Sequence, residues 1–175
     1  PLTDLLKKDM FKTPLPDEAL AAFDKLKEAL MSAPVLAYFD VTKCHELYVD
    51  ACGVSIGAVL QQHDEKDPDD GSHPVGFYSR RLNPAEQNYA TYDKELLGLR
   101  DGVLHFRHQL LGIPFKVHTD HCSLRWLFNQ PEISGQRQRW LAVLSQFQLT
   151  EIVHIPGVQN VVADVLSRYA DPTGP

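Results

Sequence analysis

The sequence predicts one mixed α/β domain preceded by a helical segment. Alternating apolar and polar runs typical of strands, and longer stretches with the spacing of amphipathic helices, follow one another in the order β-β-β-α-β-α-α-β-α. With 175 residues and 43% apolar content, the chain is long enough for one well-packed core. Its apolar runs fall short of the roughly 20 residues that cross a bilayer.

The first predicted element is an amphipathic helix between Pro14 and Pro34, with Asp17 as its N-cap. Three strands follow, at residues 45–50, 56–62 and 73–79. The polar bend and loop between these strands are short, which indicates an antiparallel meander.

The second half of the chain alternates helices and strands. A long helix is predicted from Pro84 to Leu111, with an apolar stripe of Tyr92, Leu96, Leu99, Val103 and Phe106. A fourth strand, a short helix, a further helix, a fifth strand and a last helix follow, at residues 113–120, 122–129, 134–147, 149–155 and 160–169.

Net charge and cysteine content restrict the class of function. The net charge of −6 is the wrong sign for a domain that binds nucleic acid through phosphate neutralisation alone. Such a role would need local basic residues, metal ions or a linked partner domain. Cys44, Cys52 and Cys122 form no CxxC pair, so we expect reduced thiols and an intracellular protein without a membrane segment. The first and last residues lead us to expect a segment of a longer protein.

Four carboxylates occupy positions of special interest. Asp50 and Asp120 end the first and fourth predicted strands. Glu95 lies at the margin of the apolar stripe of the long helix, and Asp164 lies in the last helix. Taken singly, each fits a turn cap or a solvated helix margin. Because ligands of open α/β sheets gather at the carboxyl ends of strands, the acids would converge if the first and fourth strands were neighbours.

A converging acidic cluster predicts hard divalent cations, because clustered carboxylates raise one another's pKa unless a cation neutralises them. Oxygen ligands favour Mg²⁺, with Mn²⁺ as a substitute, over Zn²⁺. Two such ions about 4 Å apart can activate a water on one side of a phosphodiester and stabilise the leaving oxygen on the other. The acids therefore predict a two-metal site for phosphoryl transfer.

Four motifs resemble the ribonuclease H domain of gypsy-type LTR retrotransposon reverse transcriptases. They occur in the family's order, as YVDACGVSIGAVLQQ, NYATYDKELLGL, HTDHCSLRWL and HIPGVQNVVADVLSR. The chain departs from the family pattern at Cys52, where Ser is usual, and at Asp93, where Glu is usual. Neither residue is a metal ligand in the family's scheme, so we expect the activity to be kept.

The resemblance implies an RNase H-like fold, a five-stranded mixed sheet with three antiparallel and two parallel strands, flanked by helices. It also implies that four acids bind two Mg²⁺ ions, namely Asp50, Glu95, Asp120 and Asp164. Asp50 would bridge both ions. Asp164 would help to hold the ion with the attacking water, and Glu95 with Asp120 would hold the ion at the leaving 3′ oxygen.

The same resemblance implies a domain organisation. Residues 1–34 are similar to the connector from the reverse transcriptase thumb or connection, residues 35–169 to the ribonuclease H domain, and residues 170–175 to a C-terminal linker. A polymerase domain linked upstream, an integrase linked downstream and a cytoplasmic virus-like particle are the partners and location implied by an active parent element.

Further candidate residues surround the acids. His154 precedes Asp164 by ten residues, the interval at which cellular RNases H carry a mobile histidine. Gly53 and Ser55 belong to a bend of small residues that would let a nucleic-acid backbone approach the metals. Asn160 is a further candidate substrate contact.

Two segments allow alternative readings. Arg137, Arg139 and Trp140 form either a basic and aromatic patch for nucleic acid or an ordinary helix with a solvated face and a core Trp, and the acidic net charge favours the ordinary helix. The segment HTDHC offers zinc ligands in His118, His121 and Cys122. Strand alternation turns its two histidines to opposite faces, which disfavours zinc.

The leading functional hypothesis is an endonuclease that cuts the RNA strand of an RNA/DNA hybrid and leaves 3′-hydroxyl and 5′-phosphate ends. Two alternatives belong to other classes: a catalytically silent RNase H-like tether and a domesticated nucleic-acid-binding module. A silent tether is expected to lose some of the acids, whereas this sequence keeps all four.

Overall fold

The computed structural model describes residues 17–31, 36–67, 71–129 and 135–168. The chain forms two compact units, Pro1–Ala37 and Tyr38–Pro175. In the first unit, α1 spans Asp17–Met31, with Asp17 in the first turn, where an acidic residue interacts well with the helix dipole. The rest of the predicted connector, residues 1–16 and 32–34, lies outside the described residues, as does the predicted linker at 170–175.

The second unit is built on a five-stranded sheet with the order β3-β2-β1-β4-β5. Its strands are β1 (Cys44–Ala51), β2 (Ser55–His63), β3 (His73–Arg81), β4 (Phe115–Thr119) and β5 (Leu149–His154). β1 pairs with β2, and β2 with β3, in antiparallel fashion. β4 pairs parallel with both β1 and β5. The predicted mixed sheet of three antiparallel and two parallel strands is confirmed.

The core lies on one face of the central strand β1. Leu47 and Val49 are fully buried on this face, and neighbouring strands add Ile56, Leu60 and Val117. Helix α3 (Thr91–His105) covers them and approaches closely at Gly102, where an added Cβ would lie 3.1 Å from the Ala58 side chain. The sheet is therefore held rigidly against α3, which also carries Glu95.

The long helix predicted from Pro84 to Leu111 is wrong as a continuous element. The segment forms three helices, α2 (Pro84–Gln87), α3 and α4 (Arg107–Leu110). A capping box between Asn83 and Glu86 starts α2. The second break lies at Phe106, whose ring packs over the β3 backbone, only 2.7 Å from where a Cβ on Gly76 would lie. The predicted apolar stripe is nevertheless buried or half-buried along its length.

The remaining helices pack on the sheet or on α3. A 3-10 helix spans Cys122–Asn129, α5 spans Gly135–Leu144, a short 3-10 turn spans Gly157–Gln159, and α6 spans Val161–Arg168. Helix α6 crosses β2 at Gly57, where an added Cβ would lie 2.6 Å from both Ala163 O and Ser167 N. Glycine at this position therefore permits the close packing of α6. No helix in the described ranges is long and apolar enough to cross a membrane.

Arg80 on β3 joins the sheet to two helices. Its guanidinium donates to Glu86 of α2 at 2.7 Å and to Asp101 of α3 at 2.5 Å. Both carboxylates are largely buried, with 14% and 10% of their side-chain surfaces exposed. Arg80 lowers the pKa of Glu86, which keeps this acid ionised within the network.

Candidate metal centre

The parallel pairing of β1 with β4 brings two predicted acids to one edge of the sheet. The last paired residues are Tyr48 and His118. Asp50 and Asp120 each follow two positions later, beyond the point where the strands separate. Helix α3 runs beside this edge and approaches at Gly98, where an added Cβ would lie 3.6 Å from Asp50 O. Glu95, about one helical turn before Gly98, therefore faces the ends of both strands.

Three carboxylates converge at this edge. Asp50, Glu95 and Asp120 each offer a ligand oxygen, and the three oxygens all lie within 4.8 Å of one another. Asp50 and Glu95 are each only 5% exposed, whereas Asp120 is exposed to solvent. The cluster therefore has a buried floor and an open side, an arrangement that would allow a cation to enter from solvent.

The electrostatics of the cluster favour a bound cation. Burial, followed by the charges of Asp50 and Asp120, raises the pKa of Glu95 to about 9. Burial also raises the pKa of Asp50, opposed by a hydrogen bond that the Ser167 hydroxyl donates to Asp50 Oδ2. Glu95 Oε2 is buried and accepts no hydrogen bond from the described residues. An unpartnered carboxylate oxygen among like charges is suited to a hard divalent cation, so the residues present fit this group.

Asp164 stands apart from the three converging oxygens. Its Oδ1 accepts a hydrogen bond from Arg168 Nε at 2.6 Å, one turn along α6. The carboxylate is close enough for its charge to contribute to the raised pKa of Asp50. The structure therefore brings three of the four predicted ligands together and pairs the fourth with an arginine beside them.

His154 lies at the end of β5, next to Asp120. Its Nε2 is 3.0 Å from the backbone carbonyl oxygen of Asp120, and the ring is exposed. Gly157, in the following turn, packs against the same acid, because an added Cβ there would lie 3.3 Å from Asp120 Oδ2. The histidine borders the cluster through a backbone contact, and its catalytic role stays a prediction.

Comparison with known proteins identifies the family. The profile described as "RNase H-like domain found in reverse transcriptase" matches residues 40–147. The chain belongs to this family. The resemblance drawn from the four sequence motifs is thereby confirmed.

A curated relative of this RNase H-like domain is the Transposon Tf2-3 polyprotein of Schizosaccharomyces pombe. The two are 41% identical over 180 aligned residues, which cover 100% of this chain and 13% of the polyprotein. The chain therefore spans a small part of the length of the curated relatives that it matches.

Solved structures confirm the RNase H-like fold. The foamy viral protease-reverse transcriptase dRH in complex with double-stranded DNA is similar with a TM-score of 0.59 and 17% identity, over 89% of this chain and 27% of that chain. LC11-RNase H1 in complex with an RNA/DNA hybrid is similar with a TM-score of 0.51 and 16% identity, over 70% of this chain and 92% of that chain. At these identities the likeness establishes the fold.

The candidate substrate contacts of the RNase H-like domain differ in accessibility. Gly53 is exposed, with open space where a Cβ would lie. Ser55 is fully buried, and Asn160 is 1% exposed, with its amide donating to Val49 O at 2.9 Å. Substrate contact stays a prediction for all three, and the burial of Ser55 and Asn160 favours a positioning role over direct contact.

Helix α5 agrees with the ordinary-helix reading of its basic residues. Arg137 forms a bidentate ion pair with Asp93, at 2.6 and 3.0 Å, and lies 4.7 Å from the centroid of the Tyr92 ring. Arg139 is exposed, and Trp140 is part of the hydrophobic core. Asp93, which departs from the family's usual Glu, thus anchors α5 to the start of α3. Substrate contact by the two arginines stays a prediction.

The zinc alternative finds no support in the described ranges. His118 stacks on Tyr48 with ring centroids 4.4 Å apart, while His121 lies against Tyr92 at 6.0 Å. Within the part of the chain that the structure describes, the group of three side chains able to share an ion is the acidic one, and it includes neither histidine nor Cys122.

Sequence reasoning missed the structural role of two residues next to Asp50. Ser167 is fully buried and donates to Asp50, and its burial with Ala163 follows the four-residue spacing of one helix face, a signal that the sequence does contain. Cys52 holds the bend after β1. Its Sγ accepts from the backbone N–H of Val54 at 3.4 Å and of Ser55 at 3.3 Å, as a serine hydroxyl would. This geometry explains how Cys52 can replace the usual Ser.

Proposed function

We propose that this domain hydrolyses the RNA strand of RNA/DNA hybrids during reverse transcription and leaves 3′-hydroxyl and 5′-phosphate ends. The observation that carries the proposal is the convergence of three carboxylate oxygens, from Asp50, Glu95 and Asp120, within 4.8 Å at the open edge of the sheet. Membership of the reverse transcriptase RNase H-like family and the solved complex of LC11-RNase H1 with a hybrid support this choice of substrate.

The acids of this chain would hold two Mg²⁺ ions, with Mn²⁺ as a substitute. Bound divalent ions supply a water of lowered pKa and stabilise the negative charge on the phosphodiester oxygens. Asp50, at the buried centre, would be a ligand of both ions. Glu95 and Asp120 would be further ligands of the ion on the side of the leaving 3′ oxygen.

Asp164 would help to hold the ion that carries the attacking water. In the described structure one oxygen of its carboxylate, Oδ1, is paired with Arg168 at 2.6 Å, so an ion that takes this oxygen would displace the arginine. The Asp164–Arg168 pair is partly exposed, and such pairs contribute little free energy, about 0–1 kcal/mol. The exchange is therefore inexpensive. His154, beside Asp120, would accept or deliver a proton near the same edge.

The substrate and partners follow from the same chemistry. We propose that the RNA strand is recognised through its 2′-hydroxyls and sugar-phosphate shape rather than its base sequence. The chain covers 13% of the Tf2-3 polyprotein, so a covalently linked polymerase domain upstream and an integrase downstream are the proposed partners. The linked polymerase would supply much of the hybrid affinity that an acidic domain lacks.

A cleavage assay tests the proposal. The purified chain is incubated with Mg²⁺ and a hybrid whose RNA strand is labelled, and the product ends are mapped. We expect the wild-type chain to cleave the RNA, and Asp50→Asn to lose at least a hundredfold of this cleavage activity. Asp64→Asn is the matched control, because Asp64 follows β2 at the end of the strand away from the acidic cluster, and it should cleave like the wild type. A folded wild-type chain that leaves the hybrid intact would favour the silent tether or binding module instead.

A further inference from the structure

The centre of the acidic cluster is held by a residue outside the set of proposed metal ligands. Asp50 Oδ2 accepts a hydrogen bond from the hydroxyl of Ser167, which lies in the last turn of α6. Ser167 is fully buried and Asp50 is 5% exposed, so water does not compete freely for this contact. The hydroxyl also lies 2.9 Å from the backbone oxygen of Asp164, one turn earlier.

Ser167 is itself fixed from two sides. Its backbone carbonyl accepts hydrogen bonds from the Ser55 hydroxyl and from the Cys52 thiol, the latter at 3.1 Å. Its backbone nitrogen lies against Gly57, where an added Cβ would be only 2.6 Å away. The bend after β1 and the last turn of α6 therefore form one hydrogen-bonded unit around Asp50.

A neutral hydroxyl suits this position better than a cation. An ionised carboxylate has several acceptor sites, and a donor that occupies one of them fixes the rotation of the group. A hydroxyl does this without adding a positive charge that would repel a metal ion. The contrast is Asp164, whose Oδ1 is paired with the charged Arg168, so that an ion at this oxygen would compete with a positive charge.

We infer that Ser167 is a positioning residue that orients the Asp50 carboxylate so that it can serve two divalent ions. This inference rests on the proposed function. Ser55 and Cys52 influence Asp50 only indirectly, because they hydrogen-bond to the backbone carbonyl of Ser167 and not to Asp50 itself.

The test measures metal binding directly. Mn²⁺ is titrated into the full chain by isothermal titration calorimetry, for the wild type, Ser167→Ala and Ser79→Ala. Ser79 is the matched control, because its hydroxyl donates to the neighbouring α6 carbonyl of Leu166 at 2.7 Å without touching the site. We expect Ser167→Ala to weaken Mn²⁺ binding roughly tenfold or more and Ser79→Ala to leave it unchanged. Equal affinities in all three proteins would overturn the inference.

Two further variants separate positioning from a general loss of structure. Ser167→Cys keeps a weak donor, so we expect a Mn²⁺ affinity between those of the wild type and Ser167→Ala. In an Asp50→Asn background, Ser167→Ala has no carboxylate left to orient and should cause little additional loss of affinity. The same further loss in both backgrounds would overturn the positioning role.

The outcome is distinguishable from failure of the proposed function. Ser167-dependent Mn²⁺ binding by a wild-type chain that cuts no hybrid would support the inference and overturn the nuclease. Hybrid cleavage whose half-saturating Mg²⁺ concentration is the same in the wild type and Ser167→Ala would overturn the inference and leave the nuclease standing. A wild-type chain that binds no Mn²⁺ would overturn both.

Discussion

Glu95 makes the metal-free domain sensitive to pH. Its pKa lies at about 9 in the folded chain, against a usual value of 4.5, mainly because of burial. Between these values the folded state holds a proton that the unfolded state has lost, so the free energy of unfolding falls as pH rises through this window. A bound cation removes the penalty for ionising Glu95 and should flatten this dependence.

The corresponding prediction concerns Glu95→Gln. In the presence of a chelator, we expect the wild-type Tm to fall between about pH 5 and pH 9, and the variant to lose most of this dependence. At about pH 8 the variant should be more stable by about 1 kcal/mol or more, which corresponds to roughly 2–4 °C. Thermal unfolding across a pH series measures both effects. A wild-type Tm that rises over this range would contradict the raised pKa.

Under the proposed function, Arg168 would compete with a metal ion for Asp164. Replacing it in Arg168→Ala removes the partner at 2.6 Å, so we expect Mn²⁺ to bind about two- to threefold more tightly at low salt. The stability should change by less than about 0.5 kcal/mol, because the arginine side chain is 71% exposed. Calorimetric Mn²⁺ titration tests the expected affinity, and urea unfolding tests the expected stability. Weaker Mn²⁺ binding by Arg168→Ala would mean that Arg168 supports the site instead.

The residue scale also shows what sequence can and cannot predict. Asp50 and Asp120 could be placed together because strand ends and parallel pairing follow from simple rules. The pairing of Asp164 with Arg168, and of Asp50 with Ser167, depends on the exact orientation of α6 on β2. That orientation is set by close packing at Gly57, which no pattern within α6 itself specifies.

At the scale of elements, the contact between α6 and β2 is the most sensitive junction near the site. In Gly57→Ala the new Cβ would lie 2.6 Å from two backbone atoms of α6, so the helix must move away. We expect a loss of about 1–3 kcal/mol in the free energy of unfolding, together with weaker metal binding. Gly135→Ala is the control, since nothing lies within 4 Å of its added Cβ. Denaturant unfolding measures the free energy of unfolding of both variants. Equal stabilities would show that close packing of α6 on β2 does not require glycine at position 57.

The Arg80 network is the second such junction. Arg80→Met leaves Glu86 and Asp101 without their shared cation, and we expect it to destabilise the fold by about 2 kcal/mol near neutral pH. Arg80 lowers the pKa of Glu86, so the stabilisation that this pair gives the wild type over Arg80→Met depends on pH. It should be fully present above the usual pKa of 4.5 and should decrease as the pH falls through the lowered pKa of Glu86 in the folded chain.

Lys116→Met supplies the comparison for Arg80. Its ion pair with Glu151 is 3.9 Å long, and both side chains are more than half exposed, at 54% and 58%. We expect a change below about 0.5 kcal/mol. Urea unfolding at neutral and acid pH measures both variants, and equal effects would show that the Arg80 network is no stronger than a surface pair.

The sequence predicted the strands more accurately than the helices. Strand alternation reports burial on the two faces of a sheet, and all five predicted strands are present. Burial alternates along most of β1 and along β4, whereas β2 is buried along most of its length. Helical spacing continued across Asn88 and Phe106, whereas the structure ends α2 at Gln87 and begins α4 after Phe106. The Phe106 ring packs on Gly76, thirty positions earlier in the chain, a contact that helical periodicity does not report.

At the scale of the whole molecule, the negative net charge would limit the affinity for the proposed hybrid substrate. With a net charge of −6, we expect the isolated chain to bind an RNA/DNA hybrid weakly and to lose binding steeply as salt rises. Fluorescence anisotropy with a labelled hybrid, from about 50 to 200 mM KCl and with Ca²⁺ in place of Mg²⁺, measures both properties. Nanomolar binding that is insensitive to salt would contradict this expectation.

The proposed ligands lie far apart along the chain, from Asp50 on the first strand to Asp164 on the last described helix. A ribosome-bound chain that has emerged only as far as β5 therefore lacks both Asp164 and the serine that orients Asp50. Nuclease competence would then appear abruptly, late in synthesis, once α6 docks on β2. If the domain is part of a polyprotein, as proposed, this order of assembly would keep an incomplete chain from cutting RNA before the fold is closed.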